Sequence, residues 1–281
     1  MPAPTLFVGL VSHEGSRFSV SQGPEGLAAR LAADMAGAEV VVNTVNLLPE
    51  DSPLVTPRAL QASLTAELRL DATWARFLGR SRGPGWWGVH GSRWVKRAWH
   101  RVRPPATNSL RRLLNIELSH LDLMRRGLES GAPWVVIVED DGFTSDISDL
   151  SGGLVDLMAA ADPPGFVNLS ESYARAQLGI DHLLSASGTS WAGAVDRSVL
   201  AASRPVTNTV CAILYSAPFL ARLVETMEAL PMEPVVPIDW KLNRALMEMF
   251  QAGAIPAGTC WLVEPAPITQ MSMRPAAILP S

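Results

Sequence analysis

Glu139, Asp140 and Asp141 follow directly on the apolar run Trp134-Val-Val-Ile-Val138. A buried strand ordinarily ends in a turn residue. Three adjacent negative charges repel one another, so a strand that ends in them calls for a counter-charge. Oxygen donors favour a hard divalent cation, Mg2+ or Mn2+, which bridges to a phosphate-bearing ligand. Side chains alternate along a strand, so Glu139 and Asp141 are expected on one side and Asp140 on the other, toward the scaffold. The plainer reading is a solvated loop with capping acids ahead of Gly142.

Asp239 follows Pro237 and precedes helical apolar spacing at Leu242, Ala245, Leu246 and Met249. It reads either as a helix cap or as a general base that takes the proton of an attacking hydroxyl. Glu171, at the end of another expected strand, competes for the base role. Ser12, His13 and Arg17 follow the apolar run Thr5–Val11. In a Rossmann-like sheet that loop lies near a nucleotide. Arg17 suits a phosphate or the face of a base, or is a solvated loop arginine. Gly23-Pro-Glu-Gly26 lacks the spacing of a phosphate-binding glycine fingerprint. Cys211 and Cys260 have no Cys or His at metal-ligand spacing and are expected as free, buried thiols.

These residues need a sheet and helices to position them. Thr5–Val11 and the Val-rich Glu39–Val45 are expected strands, with a helix at Gly26–Met35 between them. That order implies a parallel sheet. Helices are expected at Leu60–Leu78 and Asn108–Glu129, then the strand Trp134–Val138. Beyond it come a helix at Leu154–Ala160 and a strand at Phe166–Leu169. A strand at Asn208–Tyr215, a helix at Ala217–Leu230 and a helix from Pro237 through Phe250 follow. Cys260–Val263 is the last expected strand, and the Pro-rich tail from Pro265 is expected as loop. The whole is an α/β chain of 281 residues, read as one domain, 1–281, with a mostly parallel mixed sheet flanked by helices.

One segment stands apart, at about 79–105. Arg80–Arg112 carries no Asp or Glu, and Trp86, Trp87, Trp94 and Trp99 are interleaved with its basic residues. Such a stretch, at residues 80–103, suits peripheral contact with an anionic bilayer, with tryptophan at the headgroup level. It equally suits a grip on an acidic or lipid-linked acceptor, or an arm packed on the core. Net charge is −4, so no global field draws the chain to nucleic acid. With 48% hydrophobic and 18% charged residues, the composition suits a globular enzyme. The first residues lack a basic stretch ahead of an apolar one, so no signal peptide is expected. No run nears the roughly 20 apolar residues of a bilayer span. The expected compartment is the cytoplasm, with the inner face of the membrane as the place for the basic segment.

Leu118-Ser-His-Leu121 stands about 20 residues before Val-Ile-Val-Glu-Asp-Asp. In this the chain resembles glycosyltransferase family 25, the lipopolysaccharide and collagen galactosyltransferase group. There a Ser-His pair on a helix precedes a strand ending in Glu-Asp-Asp. Asn208-Thr-Val-Cys-Ala-Ile-Leu-Tyr-Ser216 and Pro237-Ile-Asp-Trp240 resemble later segments of that family, and the order agrees over about Arg111–Asn243. The resemblance implies a GT-A type, single Rossmann-type domain and transfer from a nucleotide-diphosphate-sugar donor to a hydroxyl of a glycan or lipid-linked saccharide. It implies that Glu139 and Asp141 hold Mn2+ or Mg2+ on the donor diphosphate, with Asp140 in the middle of the motif. Ser119 and His120 then belong to the donor site, and Asp239 matches the late aspartate of an inverting reaction. The first 110 residues fit the family poorly, and nothing after Trp240 supplies a third metal ligand. Two other readings use the same features. One is a metal-dependent nucleotidyl or phosphoryl transferase; the other is a non-catalytic, membrane-associated scaffold with a vestigial transferase fold.

Overall fold

The computed structural model describes residues 5–13, 16, 18, 23–35, 37–43, 47–49, 51–79, 95, 98–99, 108–171, 178–207 and 209–273. The chain opens with β1 (Leu6–Val11), buried throughout. Helix α1 (Leu27–Asp34) buries Leu27, Ala28 and Leu31, one helical face. β2 (Ala38–Asn43) then lies parallel to β1. Helix α2 (Pro57–Phe77) starts where Thr56 accepts a hydrogen bond from the Ala59 N–H at 3.1 Å, with proline at its first position. Helix α3 (Asn108–Glu129) is the longest among the described residues, at 22 residues. Gly131, at φ 73°, lets the chain turn out of it into β3 (Trp134–Glu139).

The rest of the chain is β4 (Gly142–Phe143), α4 (Ile147–Ala159), β5 (Phe166–Asn168), β6 (Ser170–Glu171), β7 (Leu184–Ala186) and β8 (Ser198–Ala202), then β9 (Ala212–Ser216), α5 (Ala217–Ala229), α6 (Ile238–Gln251), β10 (Cys260–Glu264) and β11 (Ile268–Gln270). Eight strands form one sheet in the order β2-β1-β3-β9-β5-β10-β8-β7. Within it only β8 and β9 run against the others. The fold is thus α/β, with a large, mostly parallel mixed sheet of the Rossmann-like kind.

Strand alternation divides the core into two layers. Phe7, Val135, Ile137, Ile213 and Tyr215 point to the face covered by α3, α5 and α6. Leu6, Val8, Leu10, Val136, Val138 and Leu214 point to the face covered by α1 and α4. Helix α3 lies close on the sheet. A Cβ at Gly127 would stand 2.8 Å from the Val135 methyls, and one at Gly9 would stand 3.3 Å from Leu123. At Gly127 a Cβ would force Val135 aside, and at Gly9 Leu123 would have to give by a few tenths of an ångström.

The structure departs from the sequence reading in four places. The helix expected from Leu154 begins at Ile147, where Asp146 caps it by accepting from the Asp149 N–H at 3.0 Å. The tail from Pro265 is not all loop. Its Ile268–Gln270 pairs antiparallel with β4 and parallel with β6 in a second, three-stranded sheet. Strands β7 and β8 were not expected; three and five residues long and rich in Ser and Ala, they carry little periodic signal. The strand expected from Asn208 begins only at Ala212, because Thr209 turns its hydroxyl to the Cys211 N–H. Among the described residues, no helix is long and apolar enough to cross a membrane.

Candidate functional site

Strand order reverses between β1 and β3: β2 follows β1 to one side, and β3 is laid down on the other. At such a reversal the loops beyond the strand carboxyl ends part and leave a crevice. Ser12 leaves β1 into it, and Glu139-Asp140-Asp141 leaves β3.

Pairing holds Glu139 in register with Val11, and its N–H donates to the Cys211 carbonyl at 2.7 Å. Its parity with Val135 and Ile137 aims it at the α3 face. There His120 Nε2 lies 3.2 Å from Glu139 Oε1. His120 is 1% exposed, and its Nδ1 has no hydrogen-bond partner among the described residues. Ser119 is buried beside it on α3.

The strand stops at Glu139, and Asp140 and Asp141 form a tight turn into β4. Asp140 turns to the β1 side and accepts a hydrogen bond from Ser12 Oγ at 2.6 Å. Asp141 turns back toward Glu139. One ligand atom from each of Glu139, Asp141 and Cys211 fits within a mutual 4.8 Å. A turn, rather than continued strand alternation, therefore brings Glu139 and Asp141 together.

Burial pushes the Asp141 carboxyl up from its usual range, and the Glu139 charge adds to this. Hydrogen bonds from Ser272, Gln270 and Cys211 act in the opposite direction. Gln270 in turn accepts from Thr209 Oγ1 at 3.2 Å, and the Met271 N–H donates to the Asp141 carbonyl at 2.8 Å. Cys211 Sγ lies 3.6 Å from Asp141 Oδ1, and burial pushes its thiol well above the usual range. It is therefore a neutral donor beside two acids. Both cysteines are free and buried.

The oxygens of this donor set suit a hard cation: one carboxylate from Glu139 and one from Asp141, with the Cys211 sulfur close by. Such an ion would also offset the repulsion that lifts Asp141.

Asp239 sits half-buried in the first turn of α6. Burial pushes its carboxyl up to about 6, and the charges of Glu139 and Glu67 add to this against a hydrogen bond from the Trp240 N–H. The structure thus brings Asp239 within the field of Glu139. His13 is exposed just beyond Ser12. Glu171 contributes its backbone to β6, opposite Thr269, and its side chain lies outside the described residues. Arg17 also lies outside them, as does segment 80–103 apart from residue 95 and residues 98–99. Val95 and Trp99 are exposed.

Sequence reasoning missed Cys211, Gln270 and Ser272 as neighbours of Asp141. No spacing announces them, since antiparallel β3–β9 pairing and the second sheet deliver them. A comparison with protein-family models finds no match to the chain, and a comparison with curated proteins finds no significant relative.

Proposed function

We propose that the chain is a GT-A type glycosyltransferase that moves a sugar from a nucleotide-diphosphate donor to a hydroxyl of a glycan or lipid-linked saccharide. One observation carries the reading. Paired carboxylates stand at the crevice where strand order reverses, and Asp239, whose carboxyl is pushed up to about 6, lies within the field of one of them, Glu139. The mixed sheet and the Ser119-His120 placement on α3 also support it.

In this reading Glu139 and Asp141 hold Mn2+ or Mg2+, which when bound supplies neutralising charge to the departing diphosphate. His120 fixes the Glu139 carboxylate. Ser12 fixes Asp140 and keeps the β1 loop against the donor side, with His13 beside it. Asp239 accepts the proton of the acceptor hydroxyl as its oxygen bonds to the anomeric carbon. The anomeric C–O bond to diphosphate breaks, with inversion. A pKa of about 6 leaves Asp239 mostly ionised at neutral pH and still basic enough to take that proton. The basic segment 80–103 would lie on an anionic membrane face and bring a lipid-linked acceptor within reach.

The test is a thermal-shift panel of nucleotide sugars, nucleoside triphosphates and nucleoside monophosphates, with and without Mn2+. Stabilisation by one nucleotide sugar, enhanced by Mn2+, is expected. Preference for triphosphates would favour a nucleotidyl or phosphoryl transferase instead. Vesicle binding with no nucleotide effect at all would favour a scaffold.

A further inference from the structure

A cavity of about 1020 Å³ lies between α2, the Leu230–Val236 segment and the start of α6, apart from the carboxylate pair. Arg58, Thr65 and Arg69 line one wall. Their spacing of seven and four residues places them on one face of α2. Eleven helical steps part the two arginines, a span of about 16 Å. The opposite wall brings Lys241 and Arg244 from α6.

The charges in this groove are unequally matched. Lys241 is paired with buried Glu117, and Arg244 with Glu248 at 3.0 Å. Among the described residues, Arg58 and Arg69 have no carboxylate partner. Glu233 also lines the groove, so the two guanidinium groups leave one positive charge in excess there, in a chain of net charge −4. The guanidinium fork matches carboxylate and phosphate oxygens two at a time. Between the arginines the wall is Ala62 and Ala66, with Leu70 just beyond Arg69, a surface for the carbon face of a sugar ring. The groove also borders the candidate site. Ala66 and Leu70 flank Glu67, whose charge reaches Asp239, and Glu117 is one turn from His120 on α3.

We propose that this groove seats the acceptor, and that the acceptor is an oligosaccharide bearing phosphate or uronate groups, held singly at Arg58 or at Arg69. The acceptor role rests on the transferase reading; the anion binding does not.

The experiment is calorimetric titration of the full chain, without donor or metal. The probes are trigalacturonate, the phosphate monoester of maltotriose, neutral maltotriose and farnesyl phosphate. The two anionic saccharides are expected to bind about tenfold or more tighter than the neutral one, an advantage that fades at high salt. The Arg58→Gln/Arg69→Gln double variant should lose that advantage while keeping the wild-type melting curve. Equal binding of neutral and anionic saccharides, or an undiminished preference in the double variant, overturns the proposal. Tighter binding of farnesyl phosphate than of either sugar anion overturns the saccharide assignment. Charge-selective binding in a chain that no nucleotide sugar stabilises would leave the anion site standing and remove the transferase reading. Donor stabilisation without charge selectivity would do the reverse.

Discussion

Ser12 Oγ donates to Asp140 Oδ2 at 2.6 Å, across 128 residues of sequence and across the boundary where strand order reverses. The bond ties the loop after β1 to the acidic turn after β3. Ser12→Ala should cost about 1.5 kcal/mol, the low end for a hydrogen bond to a charged group, because Asp140 retains access to water. Urea unfolding reads that loss. If the bond also shapes the donor site, the donor KM rises with little change in kcat. An unchanged KM would confine Ser12 to stability.

Asp141→Asn should abolish donor turnover and Mn2+-dependent stabilisation while the fold survives. Its carboxylate is already penalised by burial and by Glu139, so a neutral amide removes repulsion from the apo protein. The melting temperature is expected to hold or rise. Near-normal turnover would remove the metal-site assignment.

Asp239 sets a pH signature. Its pKa is about 6 in the fold against 3.8 ordinarily, so the native chain keeps a proton that the unfolded chain has released between those values. Stability therefore falls as pH rises through that window. In Asp239→Asn the decline should flatten, and the variant should gain on wild type as pH climbs from about 4 to 7. Turnover in wild type should drop below about pH 6 with the slope of a single proton, as the base becomes protonated. Mn2+ should shift that limb to lower pH by offsetting the Glu139 charge. A limb indifferent to both the substitution and the cation would exclude Asp239 as the base.

Cys211→Ser separates a neighbour from a ligand. Serine keeps an O–H for Asp141, so Mn2+ affinity should stay within about tenfold of wild type. A loss far beyond about hundredfold would show that sulfur coordinates the ion.

The opening of the fold was legible because its signals are local. Thr5–Val11 is continuous apolar sequence, α1 and α3 carry helical spacing, and Trp134–Val138 is too short and β-branched for a helix. The Glu139-Asp140-Asp141 turn announced itself by charge. The second sheet was not legible: Gly142–Phe143 and Ser170–Glu171 are two residues each, too short for any period. Cys211 was set aside for lack of ligand spacing, yet antiparallel pairing brings it to Asp141. Asp239 was read from its place before a helix, but its shifted pKa depends on Glu139 and Glu67, a property of the assembled site.

The second sheet also bears on when the site forms. β11 pairs with β4 and β6, strands far earlier in the chain, and carries the Gln270 that grips Asp141. Contacts between distant segments are the slow ones to form. A refolding chain can regain its helices and the β1–β2 pair while Asp141 still lacks its clamp. Cation binding followed during refolding, beside the return of helix signal, would then report when β11 closes over the acidic turn.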